Sequence, residues 1–229
     1  MGDLMKNLTR REVLKAGSTA AVTAILSPLI GNAGREKENS NMRNTDLAQT
    51  PSEEICFTEV TALVELLRTK KVSAVEVMKA HLSQIASRNA RVNAIVTLVD
   101  EEQLLREAQS ADDALAKGNW LGPLHGLPIG VKDLNATKGI RTTYGSPLLK
   151  DDIPKTDCLL VEREKKAGGI VIGKTNVPEF GLGSQTFNPV FGATRNPYDL
   201  RKTCGGSTGG GAVAVVCGMV PLADGSDYG

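Results

Sequence analysis

Residues 203–211 read TCGGSTGGG, and residues 212–216, AVAVV, follow without a break. Glycine has no side-chain carbon, so this run permits backbone angles and close chain approaches that other residues exclude. A flexible linker is also rich in glycine and serine, but a linker does not continue directly into an apolar segment. The pattern therefore predicts a tightly folded loop around Ser207 that leads into a packed helix.

Three short apolar segments upstream of this loop have the length of buried strands. They are residues 94–99, 127–131 and 170–172. The second of them ends directly at Lys132, and the third is the β-branched triplet Ile-Val-Ile. Apolar runs of this length with β-branched residues favour strands in the interior of a sheet.

Helical patterns alternate with these strands. Ser73 and Glu76 form a capping box for one helix, and Asp100 is placed to cap another through Gln103. The other predicted helices cover residues 60–67, residues 157–167 with Asp157 at the start, and residues 212–216. This alternation predicts an α/β fold in which a mixed β-sheet is flanked by helices on both faces.

One segment matches the phosphate-loop pattern, because residues 168–175 read GGIVIGKT. A phosphate loop follows a strand, turns its backbone amides onto the phosphates and opens a helix at its Lys-Thr pair. Here a helical pattern precedes the motif, its centre is strand-like, and Asn176, Val177 and Pro178 follow it. We therefore interpret residues 170–172 as a strand and reject nucleotide binding.

Composition argues against nucleic-acid and metal binding. The 229 residues carry a net charge of +1 and only 3% aromatic residues, so neither a basic surface nor a stacking platform is indicated. His81 and His125 lie outside metal-binding patterns, and the four cysteines form no C-x-x-C pair. We expect no metal, a structural role for His81 and packing roles for most cysteines.

The first 33 residues have the features of a twin-arginine export signal. Arg10 and Arg11 precede the uncharged residues 16–30, and the small residues of 31–33 (GNA) follow. This predicts recognition by the twin-arginine export machinery, cleavage after Ala33 and a periplasmic or secreted protein. The apolar stretch is shorter than the ~20 residues that normally span a bilayer, which disfavours an uncleaved anchor.

A polar segment separates this signal from the predicted fold. Residues 34–54 contain almost no large apolar side chains, so burial cannot offset the entropy of ordering them. We predict a disordered linker over 34–54 and a folded domain over 55–229.

Lys132 is a candidate general base. An ammonium cannot accept a proton, but burial disfavours the charged form and lowers the pKa of a lysine. Lys132 leaves a strand that is predicted to be buried, which suits such a shift. From the residues alone, a solvent-facing lysine paired with Asp133 remains the alternative.

Several separate stretches resemble the amidase-signature family of hydrolases. They are the loop at 203–211, residues 122–128 (GPLHGLP) with the Lys-Asp pair at 132–133, residues 173–183, and residues 223–229 (ADGSDYG). The resemblance covers roughly residues 58–229. It implies hydrolysis of a carboxamide C–N bond in a small-molecule amide without a cofactor, on a mixed sheet flanked by helices, in a domain that continues past residue 229.

The resemblance also implies residue roles. Lys132 takes the position of the family's base, and Ser207 that of the serine that relays protons and follows a cis peptide bond. Tyr228 and Gly229 supply backbone N–H groups of the oxyanion hole. The attacking serine is expected after one further glycine, just past Gly229.

Gly206, Thr208 and Ser226 are assigned supporting roles in the relay. Thr208 departs from the common pattern, because the family usually has a second serine there. Gly211 also departs, since serine or alanine is common at that position. A threonine keeps the hydroxyl group but adds a methyl group that the surroundings must accommodate.

Two alternatives to an exported amidase stay open. The 229-residue chain is a catalytically inactive fragment if no serine follows Gly229. The third interpretation is the amidotransferase subunit that acts on mischarged tRNA, against which the export signal argues. The sequence does not identify the amide substrate or the oligomeric state, and a homo-oligomer remains open.

Overall fold

The computed structural model describes residues 51–227. The predicted export signal, most of the predicted linker, Tyr228 and Gly229 lie outside these residues. The first helix begins at Pro51. The predicted start of the fold near Ile55 is therefore wrong by one helical turn, because the last residues of the supposed linker, 51–54, are already helical.

The helices of the described residues cover both predicted and unpredicted segments. Their bounds are α1 (Pro51–Cys56), α2 (Val60–Arg68), α3 (Ala74–Val92), α4 (Glu101–Ala116), α5 (Leu159–Lys166) and α6 (Gly209–Val216), with 3₁₀ turns at Pro147–Leu149 and Glu179–Gly181. None of these helices combines the length and the apolar character that crossing a bilayer requires.

The main sheet is mixed, as predicted. It has four strands in the order β1 (Ile95–Leu98), β3 (Ile170–Thr175), β2 (Pro128–Lys132) and β8 (Leu222–Ala223). β1 is antiparallel to β3, whereas β3 and β8 both run parallel to β2. Two small antiparallel pairs complete the strands: β4 (Phe187–Asn188) with β5 (Gly192–Ala193), and β6 (Arg195–Asn196) with β7 (Asp199–Thr203).

The capping residues determine where two helices begin. Ser73 Oγ accepts the Glu76 N–H while the Glu76 carboxylate accepts the Ser73 N–H, which confirms the capping box at the start of α3. Asp100 accepts the Gln103 N–H at 3.0 Å and starts α4. In both helices a side-chain acceptor lies three residues before its N–H donor.

The same rule failed at α5, which begins at Leu159 after the N-cap residue Cys158. Asp157 does not cap the helix. Its carboxylate accepts the backbone N–H of Lys138 at 2.7 Å and the Lys165 amine at 2.9 Å. A neighbouring loop and a lysine on the helix itself thus compete successfully for the carboxylate.

Burial of β2 and β3 forms the core beneath the site. All five residues of β2 and all six of β3 are buried. Ile129, Val131 and Val171 pack against Val161 of α5. Each such side chain stabilises the fold by about 1.5–3 kcal/mol relative to full exposure, so the strand that carries Lys132 is firmly held.

The phosphate-loop lookalike is a strand. β3 extends through Lys174 and Thr175, where a phosphate loop would begin its helix. The Lys174 amine points into the protein and donates to Thr137 Oγ1 at 2.8 Å and to the Asn135 carbonyl. This confirms the strand at 170–172 and extends it by three residues.

Neither histidine lies beside Lys132 or Ser207 in the contacts of the described residues. His81 is buried in α3 with Nδ1 2.9 Å from the Gly218 carbonyl, and burial lowers its pKa to about 4. His125 stacks on Trp120 and accepts the Leu121 N–H. Of the cysteines, Cys56 is buried and the other three are half-buried. Full burial of most cysteines was therefore too strong an expectation.

Candidate active site

The Lys132 side chain lies at the centre of a hydroxyl cluster. Its Nζ is 2.9 Å from each of three hydroxyl oxygens, those of Ser207, Thr208 and Ser226, and 3.2 Å from the Ser226 carbonyl oxygen. Lys132 itself is fully buried. The structure thus brings together four residues from three separate segments of the sequence.

Sheet topology explains this convergence. Because β2 and β8 are parallel neighbours, their carboxyl ends meet at one edge of the sheet, which is where α/β proteins commonly place their sites. Lys132 is the last residue of β2, and Ser226 follows β8 by three positions. Ser207 and Thr208 reach the same edge from the loop before α6, where Thr208 is the N-cap.

The glycines after Thr208 permit close packing of this loop. A side-chain carbon at Gly209 would lie 2.2 Å from Thr186 Oγ1, and one at Gly210 would lie 2.2 Å from the Asn176 nitrogen. No substituent fits at either distance. The peptide bond between Gly206 and Ser207 is cis, the arrangement that the resemblance implied.

The protons of Thr208 can be assigned from its partners. Its hydroxyl donates to the Ser226 carbonyl at 3.2 Å and accepts the Ser226 N–H at 3.4 Å. Since a hydroxyl has only one proton, Thr208 accepts from the Lys132 amine. The Ser226 carbonyl also only accepts, so these two groups take up two N–H bonds of Lys132.

Burial makes a neutral Lys132 accessible. The pKa of Lys132 is lowered because burial disfavours the ammonium form, while the carboxylates of Asp224 and Asp227 partly oppose the shift. With its two N–H bonds directed at Thr208 and Ser226, the lone pair of a neutral amine is left for a hydroxyl proton. Ser207 Oγ, at 2.9 Å, is in reach to give that proton.

Asp133 does not pair with Lys132. Its carboxylate accepts the Thr143 hydroxyl at 2.6 Å and the Thr143 N–H at 3.1 Å, in a fully buried position. Burial raises the pKa of this carboxyl group above its ordinary value. The alternative of a solvent-facing Lys132–Asp133 pair is therefore wrong.

Comparison with known proteins agrees with this geometry. Residues 76–229 match the family profile described as Amidase. The chain belongs to the amidase family.

Curated relatives of this amidase-family chain bear one repeated name, that of a glutamyl-tRNA(Gln) amidotransferase subunit. The protein of Acidothermus cellulolyticus is 44% identical over 73% of the chain, and that of Geobacillus thermodenitrificans 46% identical over 74%. These matches cover 33% and 35% of the relatives. The chain thus spans about a third of the length of the curated relatives it matches.

Solved structures of the amidase family share the fold. A fatty acid amide hydrolase superimposes with a TM-score of 0.74 at 27% identity, over 78% of this chain and 32% of that one. A bacterial aryl acylamidase gives 0.69 at 31% identity, over 72% and 34%. These matches confirm the predicted mixed α/β fold.

A cavity of about 450 Å³ adjoins the hydroxyl cluster of this amidase-family site. It is lined by Cys204, Gly206, Ser207, Thr208, Gly209, Ala212, Ser226 and Asp227. A larger cavity of about 640 Å³ lies between β1, the start of α4 and the segment around Arg141, and none of the Lys132 partners lines it. Chemistry by Lys132 is therefore confined to the smaller space.

Sequence reasoning missed two groups that support the site. Thr186 donates to the Gly205 carbonyl at 2.8 Å and accepts the Gly209 N–H at 3.0 Å, so it holds both ends of the relay loop. Asp224 accepts the backbone N–H of Lys132. A signal for Asp224 existed, since a carboxylate directly after a short apolar run is unusual, but its partner depends on the pairing of β8 with β2. Tyr228 and Gly229 lie outside the described residues.

Proposed function

We propose that this chain forms part of an amidase that hydrolyses a carboxamide C–N bond through a Ser-cisSer-Lys relay. The observation that carries the proposal is the buried Lys132 amine 2.9 Å from Ser207 Oγ, with its other hydrogen-bonding positions occupied. Family membership supports amide chemistry. The product carboxylate and amine or ammonia require only water as co-substrate.

The relay moves one proton at a time. Neutral Lys132 accepts the Ser207 hydroxyl proton while Ser207 Oγ accepts the proton of the attacking serine, whose oxygen bonds to the amide carbonyl carbon. The same path then returns the proton to the leaving nitrogen as the C–N bond breaks. Water, activated by the reverse transfer, hydrolyses the acyl-enzyme.

The attacking serine and the oxyanion hole are assigned by resemblance. The serine is expected after one further glycine beyond Gly229, and the N–H groups of Tyr228 and Gly229 are expected to bind the developing oxyanion. Such donors stabilise the transition state by about 3–4 kcal/mol each. Both assignments concern parts of the relay that the described residues do not include.

The substrate is proposed only as a class, a small-molecule amide. Related structures carry names that refer to fatty acid amides, aryl acylamides and a 6-aminohexanoate cyclic dimer. The smaller cavity beside Ser207, about 450 Å³, is within the usual range of small-molecule sites. No described residue selects one of these amides over another.

Extension of the polypeptide tests the proposal. The genomic reading frame after Gly229 is sequenced, and hydrolysis of an anilide and of a fatty acid amide is compared between the 229-residue chain and a chain that continues through the expected serine. We expect turnover only from the longer chain, and its loss in Lys132→Ala but not in the exposed-lysine control Lys166→Ala. A stop codon after Gly229 would favour the inactive fragment, and turnover by Lys132→Ala would contradict the relay.

A second candidate is a glutamyl-tRNA(Gln) amidotransferase subunit. The names of the relatives at 44% and 46% identity favour it. Conversion of glutamyl-tRNA(Gln) in the presence of the other amidotransferase components of a related bacterium is the discriminating assay. Activity there, with no release of amine from simple amides, would replace the amidase proposal.

Export is a further part of the proposal. The paired Arg10 and Arg11 and the uncharged residues 16–30 support recognition by the twin-arginine machinery and a periplasmic or secreted location. N-terminal sequencing of the mature protein is expected to start at Gly34. Recovery of intact Met1 from the periplasm would contradict cleavage.

A further inference from the structure

Asp224 holds the backbone from which the catalytic lysine leaves. One oxygen of its carboxylate accepts the backbone N–H of Lys132, and the other accepts the side-chain amide of Asn135. The backbone N–H of Asp224 donates to the Gly130 carbonyl at 3.1 Å. A single carboxylate directly after β8 thus joins both ends of the turn that follows β2.

Asn135 is itself fixed from below. Its backbone N–H donates to the Lys132 carbonyl at 2.9 Å, which closes the turn. Its carbonyl accepts from the buried amine of Lys174, which also donates to Thr137 Oγ1 at 2.8 Å. The two neighbours of β2 in the sheet therefore supply a negative group and a positive group that grip one asparagine.

We propose that Asp224 is a positioning residue for the Lys132 amine, with Asn135 and Lys174 holding its carboxylate in place. The inference rests on the proposed role of Lys132 as base. A lysine side chain has four rotatable bonds, so the place of Nζ depends on where its backbone is held. A displacement of about 1 Å at a reacting group can lower a rate about 100-fold.

The charge of Asp224 has a separate effect on Lys132. Burial lowers the pKa of Lys132, and Asp224 is the first of the two carboxylates that raise it, followed by Asp227. Lys174 and Glu164 are the other charged groups that act around Asp224. Loss of the Asp224 charge should therefore lower the pKa of Lys132 further, so geometry and charge can be tested apart.

A pair of exchanged side chains separates them. In Asp224→Asn the new amide NH₂ faces the Asn135 NH₂, so one hydrogen bond of the turn is lost. We expect kcat of the active, extended polypeptide to fall at least 10-fold with KM little changed. The double variant D224N/N135D restores an amide–carboxylate pair in the opposite sense, and we expect kcat to return to within about 3-fold of wild type.

The single variant Asn135→Asp places two carboxylates face to face and is expected to be as impaired as Asp224→Asn. Lys132 Nζ is also titrated by NMR after selective labelling, a measurement that does not need turnover. We expect a lower pKa in Asp224→Asn than in wild type and recovery in D224N/N135D, where the charge is retained within the turn.

Wild-type kcat in Asp224→Asn would overturn the proposal, as would a double variant no better than the single ones while its circular dichroism and melting match wild type. If Asp224→Asn does not fold, Asn135→Ala, which removes one donor to the Asp224 carboxylate, carries the same expectation for kcat. Activity in Lys132→Ala would instead show that the proposed function itself is wrong, so the two failures are distinguishable.

Discussion

Two buried lysines on adjacent strands have closely similar surroundings. Lys132 on β2 and Lys174 on β3 are both fully buried. Each amine contacts a threonine hydroxyl and a backbone carbonyl, and in each case the threonine donates to that same carbonyl: Thr208 to Ser226 O, and Thr137 to Asn135 O. The chain has thus built one lysine–threonine–carbonyl triangle twice.

The difference lies in the remaining partners. Lys132 also contacts the hydroxyl groups of Ser207 and Ser226 beside a cavity, whereas the Lys174 amine, among the described residues, donates to the two groups of its triangle. Burial lowers the pKa of both lysines, that of Lys174 to about 8. A lowered pKa is therefore insufficient for a base, which also needs a hydroxyl group that can exchange its proton with a substrate site.

Replacing each lysine by methionine should break the comparison most strongly. In the extended polypeptide, Lys132→Met is expected to lower kcat by about 10² to 10⁴, the usual contribution of a general base. Lys174→Met keeps the base and is expected to lower kcat far less, through the position of Asn135. Steady-state kinetics of the two variants checks this, and equal losses would refute the distinction.

Stability should respond in the opposite order. Lys174→Met leaves the buried carboxyl groups of Asp133, Asp224 and Glu164 without their shared cation, and breaking such a group destabilises proteins by about 3–5 kcal/mol. Lys132→Met removes a cation that is already easily neutralised and is expected to cost less. Urea unfolding of both variants at pH 7 provides the test, with Lys166→Met as an exposed control.

The pH dependence of that stability has a defined sign. The pKa of Lys174 is about 8 in the folded chain and 10.5 ordinarily, so the unfolded chain binds more protons between these values. Unfolding free energy should rise with pH from about 8 to 10.5, and the penalty should be complete below pH 8. Lys174→Met should lose this rise, which unfolding at pH 7 and pH 10 measures. An unchanged slope would contradict the burial of a neutral amine.

The two threonines sharpen the comparison at smaller scale. Thr208→Val removes the acceptor for one Lys132 N–H, and we expect kcat to fall about 10-fold because the lone pair is no longer directed at Ser207. Thr137→Val removes the corresponding acceptor of Lys174 and is expected to leave kcat within about 2-fold while stability falls by about 1–3 kcal/mol. A loss of kcat in Thr137→Val as large as in Thr208→Val would show that both triangles serve catalysis.

Local chemistry allowed much of the fold to be predicted. The capping box at Ser73 and the cap at Asp100 depend on donors within three residues, so they could be located without tertiary information. The strand before Lys132 was predictable from its apolar run. Asp157 failed as a cap because a residue from another loop, Lys138, competes for its carboxylate.

The candidate site was predictable only through resemblance. Lys132, Ser207 and Ser226 come from three distant segments, and their contact depends on the parallel pairing of β8 with β2. The contact of Asp224 depends on the same pairing and the burial of Lys174 on its place in the sheet, and no local pattern reveals either. Lys174 even suggested a phosphate loop, because the motif records residue types and not the direction in which a side chain points.

The short strand β8 has a consequence for how the site assembles. It pairs with β2 through Ile129–Leu222 and Gly130–Ala223, and a shift of one residue would turn every following side chain to the opposite face. A misaligned chain would bury an alanine where the lysine backbone needs a carboxylate, and it would swing Ser226 away. Alignment of two residue pairs therefore acts as a checkpoint: a molecule whose edge strand has docked incorrectly stays inert instead of becoming a poor hydrolase.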